Sequence, residues 1–132
     1  MAERLSAEEL REFEALLRQR HWQLRQEIHQ TLMESDDIHW QELAGRVHDP
    51  GDESVADLIT DLNIRQLDQQ VQELHAVESA LARQRNGSYG ICADCGREIR
   101  IERLRAIPTA IRCIDCQSRY ERDFTRSVPS AH

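Results

Sequence analysis

The sequence predicts a mainly α-helical protein, in which a long antiparallel helical hairpin, or coiled coil, carries a small cysteine-rich globular end and a short C-terminal helix. Two long segments have apolar residues at helical spacing, an acidic turn joins them, and four cysteines follow in two pairs. Only 39% of the 132 residues are hydrophobic and 5% are aromatic, which suits exposed helices around a modest core. The expected division is residues 1–87 for the hairpin and residues 88–132 for the cysteine-rich end.

The first long helix is predicted over residues 7–34. Ser6 and Glu9 have the spacing of a capping box, which marks the start of a helix. The apolar residues that follow at helical intervals are Leu10, Phe13, Leu17, Leu24 and Ile28. After an interruption at residues 35–37, Ile38, Leu43 and Val47 indicate a short additional helix. Both tryptophans, Trp22 and Trp40, are expected to pack in the core or in the hairpin rather than to form a binding platform.

The second long helix is predicted as one continuous element over residues 54–85. Asp52 or Ser54 supplies the N-cap, and Asn86-Gly87 supplies the stop. Its apolar seam consists of Leu58, Leu62, Ile64, Leu67, Val71, Leu74, Val77 and Leu81. A stripe this narrow buries one face against one partner, so antiparallel pairing with the first helix is expected. The pair would form a rod about 48 Å long at 1.5 Å per residue.

The turn between these helices, residues 48–54, reads HDPGDES. Aspartate, proline, glycine and serine are all favoured in turns, and acidic residues are favoured in the first turn of a helix. The residue types alone therefore indicate a connection between helices and require no further function.

Four cysteines form the strongest motif in the chain. Cys92 and Cys95 are separated by two residues, as are Cys113 and Cys116, and seventeen residues lie between the pairs. Two such pairs are typical of a tetrahedral zinc site, so one structural zinc ion in a four-cysteine zinc finger is expected. A redox pair or an iron site is the alternative. Four protein ligands leave no open position on the metal, so this site is not expected to activate water.

Charge is distributed unevenly along the chain. Residues 1–82 hold 18 acidic residues against 7 arginines, a net charge of −11, whereas residues 83–132 hold 10 arginines against 6 acidic residues, a net charge of +4. No apolar run approaches the roughly 18 residues of a membrane span, and the N-terminal residues lack the features of a signal peptide. We therefore expect a cytoplasmic protein without a membrane-bound segment. No catalytic constellation is present in the sequence, so an enzyme is not expected.

The residues around the cysteines resemble the zinc-finger signature of the DksA/TraR family of bacterial transcription regulators. The similarity lies in Tyr89-Gly90, Gly96, Ile99, Arg103-Leu104, Ala106, Pro108-Thr109-Ala110 and the run from Cys113 to Cys116. The helical pattern upstream extends the resemblance to most of the chain. The family implies a monomeric, non-enzymatic regulator whose coiled coil enters the secondary channel of RNA polymerase and whose acidic tip acts near the catalytic site.

The resemblance also gives the acidic turn a role. The family carries the motif Asp-x-x-Asp-x-Ala at the coiled-coil tip, and Asp49, Asp52 and Ser54 stand at those positions. Serine replaces the alanine of the motif, which adds a hydroxyl group that can cap the following helix. The family implies that a negative tip interacts with basic side chains and magnesium in a narrow pore.

Guanosine tetraphosphate binds at the polymerase interface in that family, through basic residues on the coiled coil and around the zinc finger. Ala76, Ile107 and Gln117 stand where the family has basic residues of this kind. None of the three carries a positive charge, and Arg103 and Arg105, which are nearby, have Glu98 and Glu102 as neighbours. We therefore expect little dependence on this alarmone.

Three other functions compete with this interpretation. A GATA-like DNA-binding finger has the same cysteine spacing, but direct sequence-specific DNA binding is not expected because acidic residues alternate with the arginines of residues 83–132. Asp49 and Asp52 would hold Mg²⁺ if the protein supported transcript cleavage. A zinc-stapled coiled-coil adaptor, without DksA activity, is the third.

Overall fold

The computed structural model describes residues 4–60 and 64–127. Its first helix, α1 (Ala7–Met33), begins at the predicted capping box. The Glu9 backbone N–H donates to Ser6 Oγ at 3.1 Å, and the Ser6 N–H donates to Glu9 Oε1 at 2.9 Å. The helix is about 40 Å long at 1.5 Å per residue. Its buried face consists of Phe13, Leu17, Leu24, Ile28 and Leu32.

The short additional helix is confirmed as α2 (Ile38–His48), which packs along α1. The Asp37 side chain caps it by accepting from the His39 N–H at 2.8 Å. Ala44 and Val47 are buried in the core. The His29 ring of α1 donates through Nδ1 to the Ala44 carbonyl at 3.0 Å, so α2 is held by a polar contact as well as by apolar packing.

The second arm differs from the single helix predicted over residues 54–85. It is divided into α3 (Val55–Thr60), a 3₁₀ turn (Arg65–Leu67) and α4 (Asp68–Asn86). The predicted end is confirmed, because Gly87 follows α4 with a φ of 83°, in the left-handed region that favours glycine. Helix α4 alone is about 28 Å long. Leu62 of the predicted seam lies outside the described residues.

Because the second arm is divided, α3 buries apolar residues that do not belong to the predicted seam. Val55 and Ala56 are completely buried and Ile59 is nearly so, whereas Leu58 of the predicted seam is only partly buried. A single narrow stripe on a straight rod would leave part of this apolar face in water. Burying it against the other helices is favourable by roughly 25 cal/mol per Å² of apolar surface, which explains why the compact arrangement competes with the rod.

Helices α1 and α4 form the predicted antiparallel hairpin. Near the middle, Arg20 Nη2 donates to Glu73 Oε1 at 2.7 Å, and toward the N-terminus of α1, Gln84 Nε2 donates to the Leu10 carbonyl at 3.2 Å. The two helices therefore run in opposite directions. The buried residues of α4 are Leu74, Val77 and Ala80.

The two tryptophans have different environments. Trp40 packs against the core, as predicted. Trp22 is 54% exposed, so the predicted packing in the core or the hairpin is wrong for this residue. Trp22 lies outside the buried stripe of α1, which passes through Leu17 and Leu24.

The end of the chain that follows α4 is built from turns and two helices, α5 (Ile101–Ala106) and α6 (Ile114–Ser127). Helix α6 confirms the predicted C-terminal helix. In the ranges that the structure describes, β-structure is limited to one antiparallel bridge between Ile91 and Glu98. A mainly α-helical hairpin with a cysteine-rich end is thus confirmed. None of the described helices combines the length and the apolar character that crossing a membrane requires.

Candidate zinc centre and acidic turn

The first cysteine pair is shaped by a tight turn. The Cys92 N–H donates to the Arg97 carbonyl at 2.8 Å, and the Gly96 N–H donates back to the Cys92 carbonyl at 3.0 Å. Gly96 has a φ of 74°, a conformation that residues with a Cβ adopt at a cost. This turn places Cys95 beside Cys92.

The second pair lies at the start of α6. Cys113 immediately precedes this helix and Cys116 lies in its first turn, where the Cys116 N–H faces Cys113 Sγ at 3.5 Å. The two pairs are tied together by the Ala93 N–H, which donates to the Ile111 carbonyl at 2.8 Å. The fold therefore brings together cysteines that are far apart in sequence.

The cluster has the dimensions and the donor set of a zinc site. All four Sγ atoms lie within 4.8 Å of one another, and the sulfurs of Cys95 and Cys113 are 3.9 Å apart. With Zn–S bonds of about 2.3 Å, the edge of a regular tetrahedron is about 3.8 Å. Four thiolates select zinc over hard cations such as magnesium, and they leave no position for a substrate. The predicted cofactor, one structural Zn²⁺, is confirmed.

The thiols are electrostatically unequal without a cation. Burial raises the pKa of Cys92, but the backbone N–H groups of Cys95, Cys113 and Asp94 lower it by more. The result is a pKa of about 6, below the usual value of a thiol. The hydrogen bond with the Cys113 thiol, together with burial, raises the pKa of Cys116 to about 12. Four like charges cannot form in this volume unless a cation balances them, which is what a zinc ion supplies.

Tyr89 joins the cysteine-rich end to the hairpin. Its side chain is 5% exposed, its ring centroid lies 5.8 Å from that of Phe13 in α1, and its hydroxyl donates to the Pro108 carbonyl at 2.7 Å. Burial raises the pKa of Tyr89 to about 12, although the positive charge of Arg83 in α4 opposes this shift. One side chain thus connects α1 with the turn after α5.

The acidic turn does not lie at the end of the hairpin, where the sequence places it. The Ser54 hydroxyl donates to Glu78 Oε1 at 2.7 Å, and the Val55 N–H donates to Glu78 Oε2 at 3.1 Å. The same carboxylate contacts His21 Nε2 of α1 at 3.0 Å. His21 lies about 18 Å before the end of α1 at 1.5 Å per residue, so the turn packs beside the middle of the hairpin.

The three predicted turn residues have different environments. Asp49 follows α2 as its C-cap, with its N–H bonded to the Gly45 carbonyl at 3.1 Å. Asp52 is exposed. Ser54 is partly buried, and its Oγ accepts from the Asp57 N–H at 3.1 Å, so the predicted capping by Ser54 is confirmed for α3.

Glu78 is the functional candidate that the sequence analysis missed. Its pKa is raised by burial, the largest single influence, but hydrogen bonds from His21, Ser54 and Val55 lower it below the usual value overall. Its partners are 22 to 57 residues away in sequence. No local pattern could have identified a contact that only the tertiary fold creates.

Two arginines of the cysteine-rich end, Arg103 and Arg112, are engaged in local contacts. Arg112 Nε donates to Asp94 Oδ2 at 2.8 Å, and the Arg112 guanidinium lies 4.0 Å from the centre of the Tyr120 ring. Arg103 Nε donates to the Arg112 carbonyl at 2.9 Å. These side chains would have to give up existing contacts to bind phosphates.

The three positions assigned to alarmone binding form no cationic site. Ile107 is 45% exposed, Ala76 is partly buried on α4, and Gln117 donates to Glu121 Oε1 at 3.1 Å. The side chain of Gln117 is thus bonded to an acidic residue, which disfavours a phosphate there.

An antiparallel helical hairpin joined to a four-cysteine cluster defines the class of helical zinc-finger proteins. A model of the prokaryotic dksA/traR C4-type zinc finger matches residues 87–122. The chain is 32% identical over 116 residues to the RNA polymerase-binding transcription factor DksA of Salmonella typhimurium, covering 88% of this chain and 74% of that protein. It is 30% identical to the protein of that name from Haemophilus influenzae, covering 88% and 77%. The chain belongs to the DksA/TraR family, whose members are transcription factors rather than enzymes.

Two further comparisons concern a shorter region and the fold. General stress protein 16O of Bacillus subtilis is 36% identical over 76 residues, covering 58% of this chain and 45% of that protein. The structure of transcription factor DksA2 from Pseudomonas aeruginosa superposes with a TM-score of 0.62 at 24% identity, covering 92% of this chain and 89% of that one. At this identity the structural match supports the fold alone.

Proposed function

We propose that the protein is a DksA-like regulator that binds bacterial RNA polymerase and modulates transcription initiation. The observation that carries this proposal is the 32% identity to proteins named as RNA polymerase-binding factors, since the 116 aligned residues must include parts of both the hairpin and the cysteine-rich end. The similarity is therefore not limited to the zinc finger, which the family model matches at residues 87–122. The proposal places the protein in the cytoplasm as a monomer.

The hairpin is the part proposed to enter the secondary channel of the polymerase. Helix α1 is about 40 Å long, which gives the hairpin reach along one axis. The exposed carboxylate of Asp52 and the neighbouring Asp49 carry the negative charge proposed to act on basic groups and magnesium there. In the position that the structure shows, these carboxylates lie beside the hairpin and not at its far end, so their reach depends on how the turn is held.

The cysteine-rich end is proposed as the rigid base of this arrangement. The zinc would be held by Cys92, Cys95, Cys113 and Cys116. Tyr89 would then fix the position of the zinc-bound end relative to α1, because its ring packs against Phe13. Residues 1–87 and 88–132 would then act as two parts with different roles. The first would act on the polymerase, and the second would fold around zinc and orient the first.

Regulation by guanosine tetraphosphate is proposed to be weak. A ligand with several phosphates relies on charge-assisted hydrogen bonds, which contribute about 1.5–3 kcal/mol each. Ala76, Ile107 and Gln117 supply none of these contacts, and Gln117 is bonded to an acidic neighbour. The proposed effect on transcription therefore belongs to the protein itself.

A DNA-binding finger is the second candidate, but the structure offers it little support. Arg112 is paired with Asp94 and stacked on Tyr120, so a phosphate would compete with contacts already made. Residues 1–82 would also repel a phosphate backbone.

Retention on purified core RNA polymerase tests the proposed function. The zinc-containing full-length protein should be retained, and an excess of a DksA relative should compete with it. Duplex DNA without polymerase should retain little protein. Absence of retention on core enzyme would contradict the proposal and would favour an adaptor, whereas steeply salt-dependent retention on bare duplex would favour a DNA-binding finger.

A further inference from the structure

Glu78 connects three separate segments of the chain. Its carboxylate contacts His21 of α1 and accepts from the Ser54 hydroxyl and the Val55 N–H at the start of α3. The Glu78 and His21 side chains are 23% and 17% exposed, so water competes only partly for these contacts. A partly buried carboxylate with several donors is held more firmly than an exposed surface ion pair.

The contact between the turn and Glu78 depends on the side chain of Ser54. Its Oγ accepts from the Asp57 N–H while its O–H donates to Glu78. Alanine, which the family motif has at this position, can do neither. The single residue by which the turn departs from the motif is therefore one whose side chain bonds the turn to Glu78 of the hairpin.

We propose that Ser54, Glu78 and His21 form a latch that holds the acidic turn in a docked position and that its opening releases the turn. The consequence for transcription rests on the proposed function. In the docked position the turn lies about 18 Å short of the end of α1. Release would free Asp49 and Asp52 to project further along the hairpin.

After release, residues 54–86 have an alternative structure available, a single continuous helix. Residues 54–86 contain neither glycine nor proline, and Leu67, Leu74 and Leu81 are spaced one heptad apart. A single helix over this range is therefore compatible with the sequence, although the structure divides it. The docked form is favoured by the burial of Val55, Ala56 and Ile59, and by the latch. A segment that can bury either of two apolar faces has two packed arrangements, and it can act as a two-state element when these are close in free energy.

Hydrogen exchange of the free, zinc-containing full-length protein tests the latch. The reporters are backbone amides of residues 54–60, since the N–H groups of Val55 and Asp57 donate to latch atoms. Ser54→Ala should accelerate exchange in a peptide covering residues 49–60 by about tenfold, the factor that corresponds to 1.4 kcal/mol. Glu78→Gln should accelerate it at least as much, because it also weakens the contact with His21.

Glu73→Gln is the matched control. Glu73 lies on the same helix and pairs with Arg20 of α1, but it makes no contact with the turn among the described residues. This variant should leave exchange at residues 49–60 unchanged. Peptides covering α5 should exchange at the wild-type rate in all three variants, which separates local release from global unfolding.

Equal exchange at residues 49–60 in the wild type, Ser54→Ala and Glu78→Gln would overturn the latch, as would equal acceleration by Glu73→Gln. The measurement requires no polymerase. Its failure would therefore leave the proposed function standing, and failure of the protein to bind core polymerase would leave the latch standing.

Discussion

Replacing Asp52 by asparagine should separate binding to RNA polymerase from the effect on transcription. Asp52 is exposed, and its side chain has no hydrogen-bond or ion-pair partner in the part of the chain that the structure describes. Surface substitutions of this kind change the free energy of unfolding by about 0.5 kcal/mol or less. The hairpin, the zinc centre and the Tyr89 junction should remain intact, so the variant should still bind.

The effect of the protein on transcription should fall more strongly. A unit charge that acts over about 8 Å at an effective dielectric constant near 20 contributes about 2 kcal/mol. Removing it corresponds to a change of about 30-fold in the equilibrium or rate that the charge influences. The asparagine keeps the size of the side chain, so the change reports charge and not shape.

In vitro transcription with increasing protein concentration distinguishes the two quantities. The concentration for half-maximal effect reports binding, and the size of the effect at saturation reports the action of the turn. Asp52→Asn should lower the second quantity and preserve the first. Glu53→Gln is the control, because this neighbouring carboxylate is exposed and pairs with Arg46 at 3.1 Å. Equal loss of binding and effect in Asp52→Asn would refute the reasoning and identify the turn as an anchor.

Three further predictions concern the zinc centre, the junction and the alarmone positions. Elemental analysis should find one zinc per chain, and Cys95→Ser should lose the metal and expose Tyr89 while most of the helical circular dichroism remains; a folded, metal-free wild type would contradict this. The pKa of Tyr89 is raised from 10.0 to about 12, so the unfolded state ionises first and stability should fall as pH rises from about 10 to 12. Tyr89→Phe should reduce this alkaline loss of unfolding free energy, and an unchanged pH profile would show that Tyr89 is not its cause. With polymerase that lacks its separate alarmone site, guanosine tetraphosphate should add little to the protein's effect at a ribosomal RNA promoter, and strong synergy would contradict the importance of Ala76, Ile107 and Gln117.

The zinc finger, the start of α1 and the end of α4 were predictable because their signals are local. The capping box at Ser6 and Glu9 satisfies backbone groups within one helical turn, and Gly87 ends α4 through its own backbone conformation. The cysteine pairs predict their metal because ligand type and spacing restrict the geometry of a small site. Where the physical cause lies within a few residues, the sequence contains enough information.

The path of the acidic turn was decided by tertiary structure. The heptad pattern of residues 54–85 predicts a single helix, and nothing nearby in sequence indicates that α3 should leave the line of α4. Burial of Val55 and Ala56 against other helices, and capping of α3 by Glu78, supply that information. The burial and the capping both join residues that are distant in sequence, so these contacts form, and stabilise the protein, only when the chain is folded.

Residue types and their spacing were therefore enough to predict the class of the protein, its resemblance to a family and its metal ligands. Tertiary structure decided where the carboxylates of Asp49 and Asp52 lie relative to the hairpin. The physical reason is that helix propensity and metal ligation are short-range properties, whereas the choice between a long rod and a docked turn depends on small differences between two ways of burying the same apolar residues.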